Sequence, residues 1–325
     1  MTTVLWLLLL PAVVGAVTGA GVGVLAGVFE DGGLAWLNRA PGATAAFVSL
    51  LALPATFAVA RATGLLGKTS GAELYIHTYH EGGGRLPLRE IPARILAAIA
   101  TVGLGGSQGF EAASALLGSS LGDATSRWRR LAPPADFARS LATAGASAGI
   151  AAVFSSPAVG LLYGLEVPFR RDLDAPRLVP AAIASACSYA ARVAVSGAHP
   201  LIQVRELPAL EPLFLAGCLA IGVVCGFGGR AFAWSQTQLQ HLARRSHPLL
   251  RVALASVLFA LLAWAGHALA GTWITLGPGH IAADWLLGSA GAVPGHAALL
   301  LVAVLLVRTA GTLICVYGGG GGGVF

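Results

Sequence analysis

The chain has 325 residues, of which only 10% are charged and 56% hydrophobic, and its mean hydropathy is +0.77. Soluble chains carry about a quarter charged residues, and one core of this size cannot hide so much apolar surface, so a water-soluble protein is excluded and a polytopic membrane protein implied. The net charge of +6 comes from 19 Arg and one Lys dispersed between apolar segments, not gathered on the single basic face that a nucleic-acid partner would need.

Taken in chain order, the start (Met1-Thr-Thr-Val-Leu-Trp6) has no positive n-region and its apolar run continues to Phe29, so it is expected to stay as a membrane helix and not to be removed as a signal peptide. Residues 3–29 and 43–66 are each long enough to cross a hydrocarbon core of about 30 Å, and Pro41-Gly42 between them predicts a helical hairpin. The stretch 67–92, with Lys68, Glu73, His77, His80, Glu81, Arg85, Arg89 and Glu90, reads as a cytoplasmic-side connection holding a short helix. Four shorter apolar pieces follow at 93–105, 108–122, 137–153 and 156–168, each broken by Gly, Ser or Pro. Longer spans return at 178–196, 212–234, 249–272 and 295–316, with a short piece at 280–290. Arg clusters at 127–130, 170–171 and 244–245 mark connections on the cytoplasmic side. Broken helices at membrane depth survive only where they are buried in protein or line a cavity, which is where a transport site is expected. Cys187, Cys218, Cys225 and Cys315 lie in apolar stretches without a Cys-x-x-Cys pair and read as small core residues, neither disulfides nor metal ligands.

Two glycine clusters carry the chemistry. One is Gly103-Leu-Gly-Gly-Ser-Gln-Gly109-Phe110-Glu111; the other runs from Gly318 to Gly323, ahead of Val324-Phe325. Glycines let backbone amides turn toward a ligand, and a helix start adds unpaired N–H groups and a positive dipole end, so each cluster suits an anion without a fixed positive charge. Such a cradle binds an ion yet releases it, as conduction requires. No Gly-Lys-Ser/Thr follows the second cluster, which excludes a nucleotide loop. Gly118, Gly122, Gly145 and Gly149, at small-xxx-small spacing, are expected to serve helix packing. Among the acids, Glu111 is distinctive: no charged residue lies between Arg94 and Asp123 except it, and it stands at a helix start beyond a glycine cluster. A carboxylate there competes with a free anion for the same amides, which is the physics of a gate.

Gly109-Phe-Glu-Ala112, with the downstream Leu-Leu-Gly-Ser-Ser-Leu-Gly122, resembles the Gly-Lys/Arg-Glu-Gly-Pro signature of the CLC chloride channels and proton/anion antiporters. Ala144 to Phe154 and Ser155-Ser-Pro-Ala-Val-Gly160 through Glu166 are similar to that family's alanine-rich helix and its Phe-Asn-x-Pro-x-x-Gly-x-x-Phe-x-x-Glu segment. Thr69-Ser70-Gly71 resembles its Gly-Ser-Gly-Ile-Pro loop, and Gly321-Gly-Gly-Val-Phe325 its Gly-x-Phe-x-Pro motif. The resemblance covers essentially the whole chain in the family's order. It implies an all-α polytopic membrane fold with inverted repeats and short, broken, tilted helices around an anion pathway, the chain forming a single transmembrane domain that ends before the family's closing helices. Glu111 would be the gating glutamate; Gly109, Phe110 and Glu111 would hold the outer anion; Ser70 would point its hydroxyl at a central anion opposite the amides of Gly323, Val324 and Phe325. Phe110 stands in place of the basic residue, and Ala112-Ala113 in place of Gly-Pro. Glu166 and Val167 fall where many antiporters carry a second, proton-accepting glutamate, and Val167 matches the channel-type pattern.

The implied function is movement of a small anion, chloride first and fluoride as the alternative, by a channel or a proton-coupled antiporter, in a homodimer with one pore per subunit in a bacterial inner membrane. No enzyme activity, cofactor or metal is implied. Two other readings compete. An intramembrane serine protease would use Ser107 or Ser147 with His267, His280 or His296, and a non-conducting structural subunit would need none of these groups.

Overall fold

Helices form where apolar runs are long, and stop where Pro, Gly or charge interrupts them. The computed structural model describes residues 5–41, 43–68, 71–81, 85–128, 135–169, 171–198, 202, 211–289 and 297–323. The first helical run comprises a π-helical turn at Leu5–Leu9, α1 (Leu10–Leu25), a π-helical stretch at Ala26–Leu34 and α2 (Ala35–Arg39). It exceeds the expected 3–29, and Glu30 and Asp31 lie inside the π-helical stretch. The run stops at Ala40, whose ψ of 136° is the extended conformation imposed by Pro41.

After it come α3 (Thr44–Leu50), α4 (Ala52–Ala62), α5 (Gly71–His80), α6 (Ile91–Gly103), α7 (Glu111–Ser126), α8 (Ala135–Val153) and α9 (Pro157–Glu166). The second half holds α10 (Leu178–Ser196), α11 (Pro212–Arg245), α12 (Pro248–Ala270), α13 (His280–Ser289) and α14 (Ala297–Gly318). Proline occupies the first turn of α6, α9, α11 and α12, where its missing N–H costs nothing. Among the described residues, six helical segments are long and apolar enough to cross a membrane: Leu7–Arg39, Thr44–Ala62, Ala175–Ser196, Pro212–Arg245, Pro248–Ala270 and Leu299–Gly318. The protein is a multi-pass membrane protein with an all-α fold.

The expected hairpin of the first two spans does not form. The α1 helix packs on α10, α8 and α7, whereas α3 and α4 pack on α12, and α4 also on α6. The reason lies in the faces. Gly15 and Gly19 of α1 sit directly against the backbone of Ala184 and Ser188 of α10, leaving no room for a methyl group. In lipid there is no hydrophobic drive between helices, so close backbone approach decides partners. By contrast, α3 and α4 contribute Ala45, Ala46 and Leu53 to a larger-residue core with Val252, Phe259, Trp273 and Leu276.

The same small-residue logic joins α7 to α8. Gly118 and Gly145 face each other so closely that a Cβ on either would strike the other's carbonyl, while Gly122 lies on Leu141 and Gly149 on Ser114. These four glycines serve packing. The α11 helix runs past its expected end at 234 to Arg245 and is exposed along nearly its whole length, with Arg244 and Arg245 in the last turn, where cations offset the dipole. All four cysteines are free; Cys315 is buried, but Cys218 and Cys225 lie on exposed α11 rather than in a core.

Outside the spans, Lys68 and Glu90 pair at 2.5 Å, and Arg94 reaches the same carboxylate at 3.1 Å. Lys68, and then Arg94, hold the Glu90 carboxyl below its ordinary range. A depressed carboxyl stabilises the fold above the unfolded pKa of about 4.3, and that stability disappears as pH falls through the folded value. Glu90→Gln is therefore expected to lower thermal stability in detergent at pH 7 by less than about 1 kcal/mol, since Lys68 is exposed, and to change nothing at pH values where the wild-type carboxyl is protonated.

Candidate functional site

Two helices, one in each half, end in the same way. α6 closes on Gly105, at φ +86°, with the Gly105 N–H donating to the Val102 carbonyl (2.9 Å) and the Gly106 N–H to the Thr101 carbonyl (2.7 Å). α14 closes on Gly319, at φ +88°, with Gly319 N–H donating to Val316 (3.1 Å) and Gly320 N–H to Cys315 (2.9 Å). This pair of bonds requires a left-handed residue just past the helix, and glycine occupies it without strain.

Four residues beyond each of these glycines the two segments meet. Gly109 and Gly323 form an antiparallel bridge, N–H to carbonyl at 3.1 Å one way and 2.8 Å the other. A constant offset of 214 residues therefore relates Gly105 to Gly319 and Gly109 to Gly323, the same offset that separates Gln108 from Gly322. It also relates two cross-links. The Gly321 N–H donates to Thr101 Oγ1 (2.9 Å), and the Ser107 N–H donates to Cys315 Sγ (3.3 Å), so each helix end catches the other cluster through the same position. Thr101 is in turn held by Thr56 Oγ1 at 2.6 Å, and Gln108 Oε1 accepts from the Gly322 N–H at 3.1 Å. The two glycine clusters read separately in the sequence are one structure, related by approximate internal repetition.

Glu111 is brought into this structure by the start of α7. Its carboxylate folds back to accept from its own backbone N–H and lies between the two bridged glycines. A Cβ on Gly323 would lie 2.6 Å from Glu111 Oε2 and 2.9 Å from the Ala112 amide nitrogen. Glu111 is only 6% exposed, and its Oε2 has no hydrogen-bond partner among the described residues. The carboxylate thus stands at the positive end of a helix, over amides whose N–H groups have no helical partner. Phe110 packs with Ala98, Val102 and Ala113, and its ring lies 6.2 Å from that of Phe29. It fills this position, basic in the signature that the segment resembles, with apolar volume.

Ser70, Val324 and Phe325 lie outside the described residues, as does His296. Glu166 ends α9 and is exposed, with Val167 beside it half-buried. Of the serine and histidine candidates, Ser107 bonds Thr312 Oγ1 at 2.9 Å and His267 stacks on Trp273 with ring centroids 4.3 Å apart.

One charged group beside the site is not among the sequence candidates. Arg308 lies within α14, in the middle of an apolar span, and interacts electrostatically with Glu111. Its guanidinium donates to the carbonyls of Thr275 (2.6 Å), Ile274 (3.5 Å) and Gly277. That loop reaches back to the first cluster, the Gly277 N–H donating to the Gly105 carbonyl at 3.3 Å. A lone Arg in an apolar run is the signal that could have found it.

The clamp on the second glycine run is open to test. Gln108→Leu leaves the Gly322 N–H without an acceptor and is expected to cost about 1–3 kcal/mol of thermal stability. Thr101→Ser, which keeps the accepting oxygen, is expected to cost less than Thr101→Val in the same detergent melts.

A sequence model of the family described as "Voltage gated chloride channel" matches residues 51–325. The chain is 29% identical over 215 residues to the "Chloride/fluoride channel protein" of Pseudomonas syringae pv. tomato, an alignment covering 65% of this chain and 47% of the relative. It is 26% identical over 246 residues to the "H(+)/Cl(-) exchange transporter ClcA" of Salmonella typhimurium, covering 73% and 49%. The alignments thus span about half the length of these curated relatives. Its fold matches a slow cyanobacterial Cl-/H+ antiporter with a TM-score of 0.78 at 21% identity, over 98% of this chain and 75% of that one. It also matches a CLC-type fluoride/proton antiporter at 0.73 and 22%, over 98% and 76%. The paired glycine turns, the glutamate lodged between them and these likenesses lead to one conclusion: the chain belongs to the voltage-gated chloride channel family, CLC.

Proposed function

We propose that the chain moves small anions, chloride first, through a pathway in which the Glu111 carboxylate occupies a place that a free anion takes in turn. The observation that carries this reading is the position of Glu111: a buried carboxylate with an unpartnered oxygen, folded onto the amides of a helix start between two bridged glycines. A site built chiefly of backbone dipoles, with the nearby Arg308 guanidinium taken up by the carbonyls of Ile274, Thr275 and Gly277, holds an anion yet lets it leave. The names of the relatives support the class of ion, and they extend to fluoride. Ser70 and the amides of Gly109, Phe110, Gly323, Val324 and Phe325 would complete the coordination. The working unit on this reading is a homodimer of single transmembrane domains, each with its own pore, in a bacterial inner membrane.

Anion efflux from liposomes carrying the full-length protein tests it. Protonating Glu111 removes the charge that competes for the amides, so chloride efflux is expected to rise as pH falls. Absence of chloride and fluoride efflux across that range would refute the reading.

A further inference from the structure

The offset of 214 residues that relates the two glycine turns also relates two arginines, Arg94 and Arg308. Each sits on the helix of its own half, α6 or α14, about three turns before that helix closes on Gly105 or Gly319. Their surroundings have diverged. One turn before Arg94 stands Glu90, whose carboxylate accepts from Arg94 at 3.1 Å and also pairs with Lys68. In the second half the same offset puts Val304 in the place of Glu90, and Val304 is 3% exposed. Arg308 has instead the carbonyls of Ile274, Thr275 and Gly277. Between Asp284 and Phe325 the sequence has no acidic residue, and among the described residues no carboxylate forms an ion pair with the Arg308 guanidinium. One acid interacts with it across space, and that acid is Glu111.

The charge is fixed in place relative to the first glycine cluster from two sides. On its own helix, the Arg308 carbonyl accepts from Thr312 Oγ1 at 3.3 Å, and Thr312 Oγ1 lies 2.9 Å from Ser107 Oγ. Through the loop that Arg308 holds, the Gly277 N–H reaches the Gly105 carbonyl at 3.3 Å. Clamping that loop does not by itself call for a cation, since neutral donors satisfy carbonyls and a guanidinium inside an apolar helix is costly. What a cation adds is reach. Carbonyl dipoles weaken a whole charge without cancelling it, and where water is scarce the remainder acts well beyond contact. The three carbonyls also keep the guanidinium from moving to pair with an ion directly, so an anion is attracted without being trapped.

We propose that Arg308 sets how tightly the place beside Gly109 and Gly323 holds an anion, as a fixed charge that acts across space. The inference rests on the transport reading above. Arg308 favours either negative occupant, the Glu111 carboxylate or the free ion, and leaves the choice between them to the proton on Glu111. Arg94 does not share the role, because Glu90 offsets its charge.

Calorimetric titration of chloride into the purified full-length protein tests the proposal, with Glu111→Gln as the background so that the place is open to the ion. Arg308→Gln in that background is expected to weaken chloride binding by about tenfold or more. Arg308→Lys, which keeps the charge and loses the guanidinium fork, is expected to stay within about threefold of the background. A purely structural clamp would be lost equally in both. Val304→Glu leaves Arg308 and its carbonyls in place and copies the pairing of the first half; compared with the equally bulky Val304→Gln, it is expected to weaken chloride binding by about tenfold. This pair keeps the proposal open to refutation should Arg308→Gln fail to fold. Chloride binding unchanged in Arg308→Gln, lost equally in Arg308→Gln and Arg308→Lys, or equal in Val304→Glu and Val304→Gln overturns the proposal. Absence of chloride binding to Glu111→Gln with Arg308 intact overturns the transport reading itself.

Discussion

Replacing Glu111 with Gln is expected to make anion efflux independent of pH between about 4 and 8, while wild-type efflux climbs as pH falls. Gln keeps the size and packing of the side chain between Gly109 and Gly323 but has no charge with which to contend for the α7 amides. Charge at a partly buried helix start is worth up to about 2 kcal/mol, so at the pH where the wild-type carboxylate is ionised the variant should conduct faster by about tenfold or more, a change corresponding to roughly 1.4 kcal/mol. Efflux that keeps the wild-type pH profile would show that another group gates the path.

Gly145→Val is expected to have the largest effect on the fold. Gly145 meets Gly118 backbone to backbone, and the neighbouring contacts of Gly122 and Gly149 leave α7 and α8 no direction in which to separate locally. Overpacking of this kind costs about 3 kcal/mol, and in this chain it also displaces α7, whose first residue is Glu111. The variant should melt well below wild type in detergent and lose efflux with it. Gly217→Ala on α11, where nothing lies within 4 Å of the added methyl, should leave efflux unchanged and the melting temperature equal or higher, because Ala adds up to about 1 kcal/mol of helix propensity over Gly without a clash. Equal melting temperatures for Gly145→Val and wild type would mean that the α7–α8 contact does not hold the site.

Much of this arrangement could be read from the residues alone. The span at 178–196 matches α10 residue for residue, because its ends are marked by local chemistry: Pro176 before it and Gly197, at φ +84°, after it. The small-residue spacing of 118, 122, 145 and 149 likewise pointed to close packing. Partner choice was not legible in the same way. The α1 face of Gly15 and Gly19 is recognisable, yet nothing local says that its complement is α10 rather than the adjacent α3 and α4. The site was half legible. Each glycine cluster suggested an anion cradle, and Glu111 stood out as an unpaired acid, but their union depends on a bridge between residues 214 apart. Arg308 escaped notice because a single charge is averaged away in a long apolar run.

On the proposed mechanism a free anion and the Glu111 carboxylate take turns at one place. Anomalous diffraction from crystals of the full-length protein soaked in bromide tests this most directly, comparing wild type at pH 8 with Glu111→Gln. A bromide peak is expected in Glu111→Gln within contact distance of the Ala112 amide, beside Gly109 and Gly323, and no peak at that point in the wild type with its carboxylate in place. Bromide at this point in both proteins, or in neither, would contradict it.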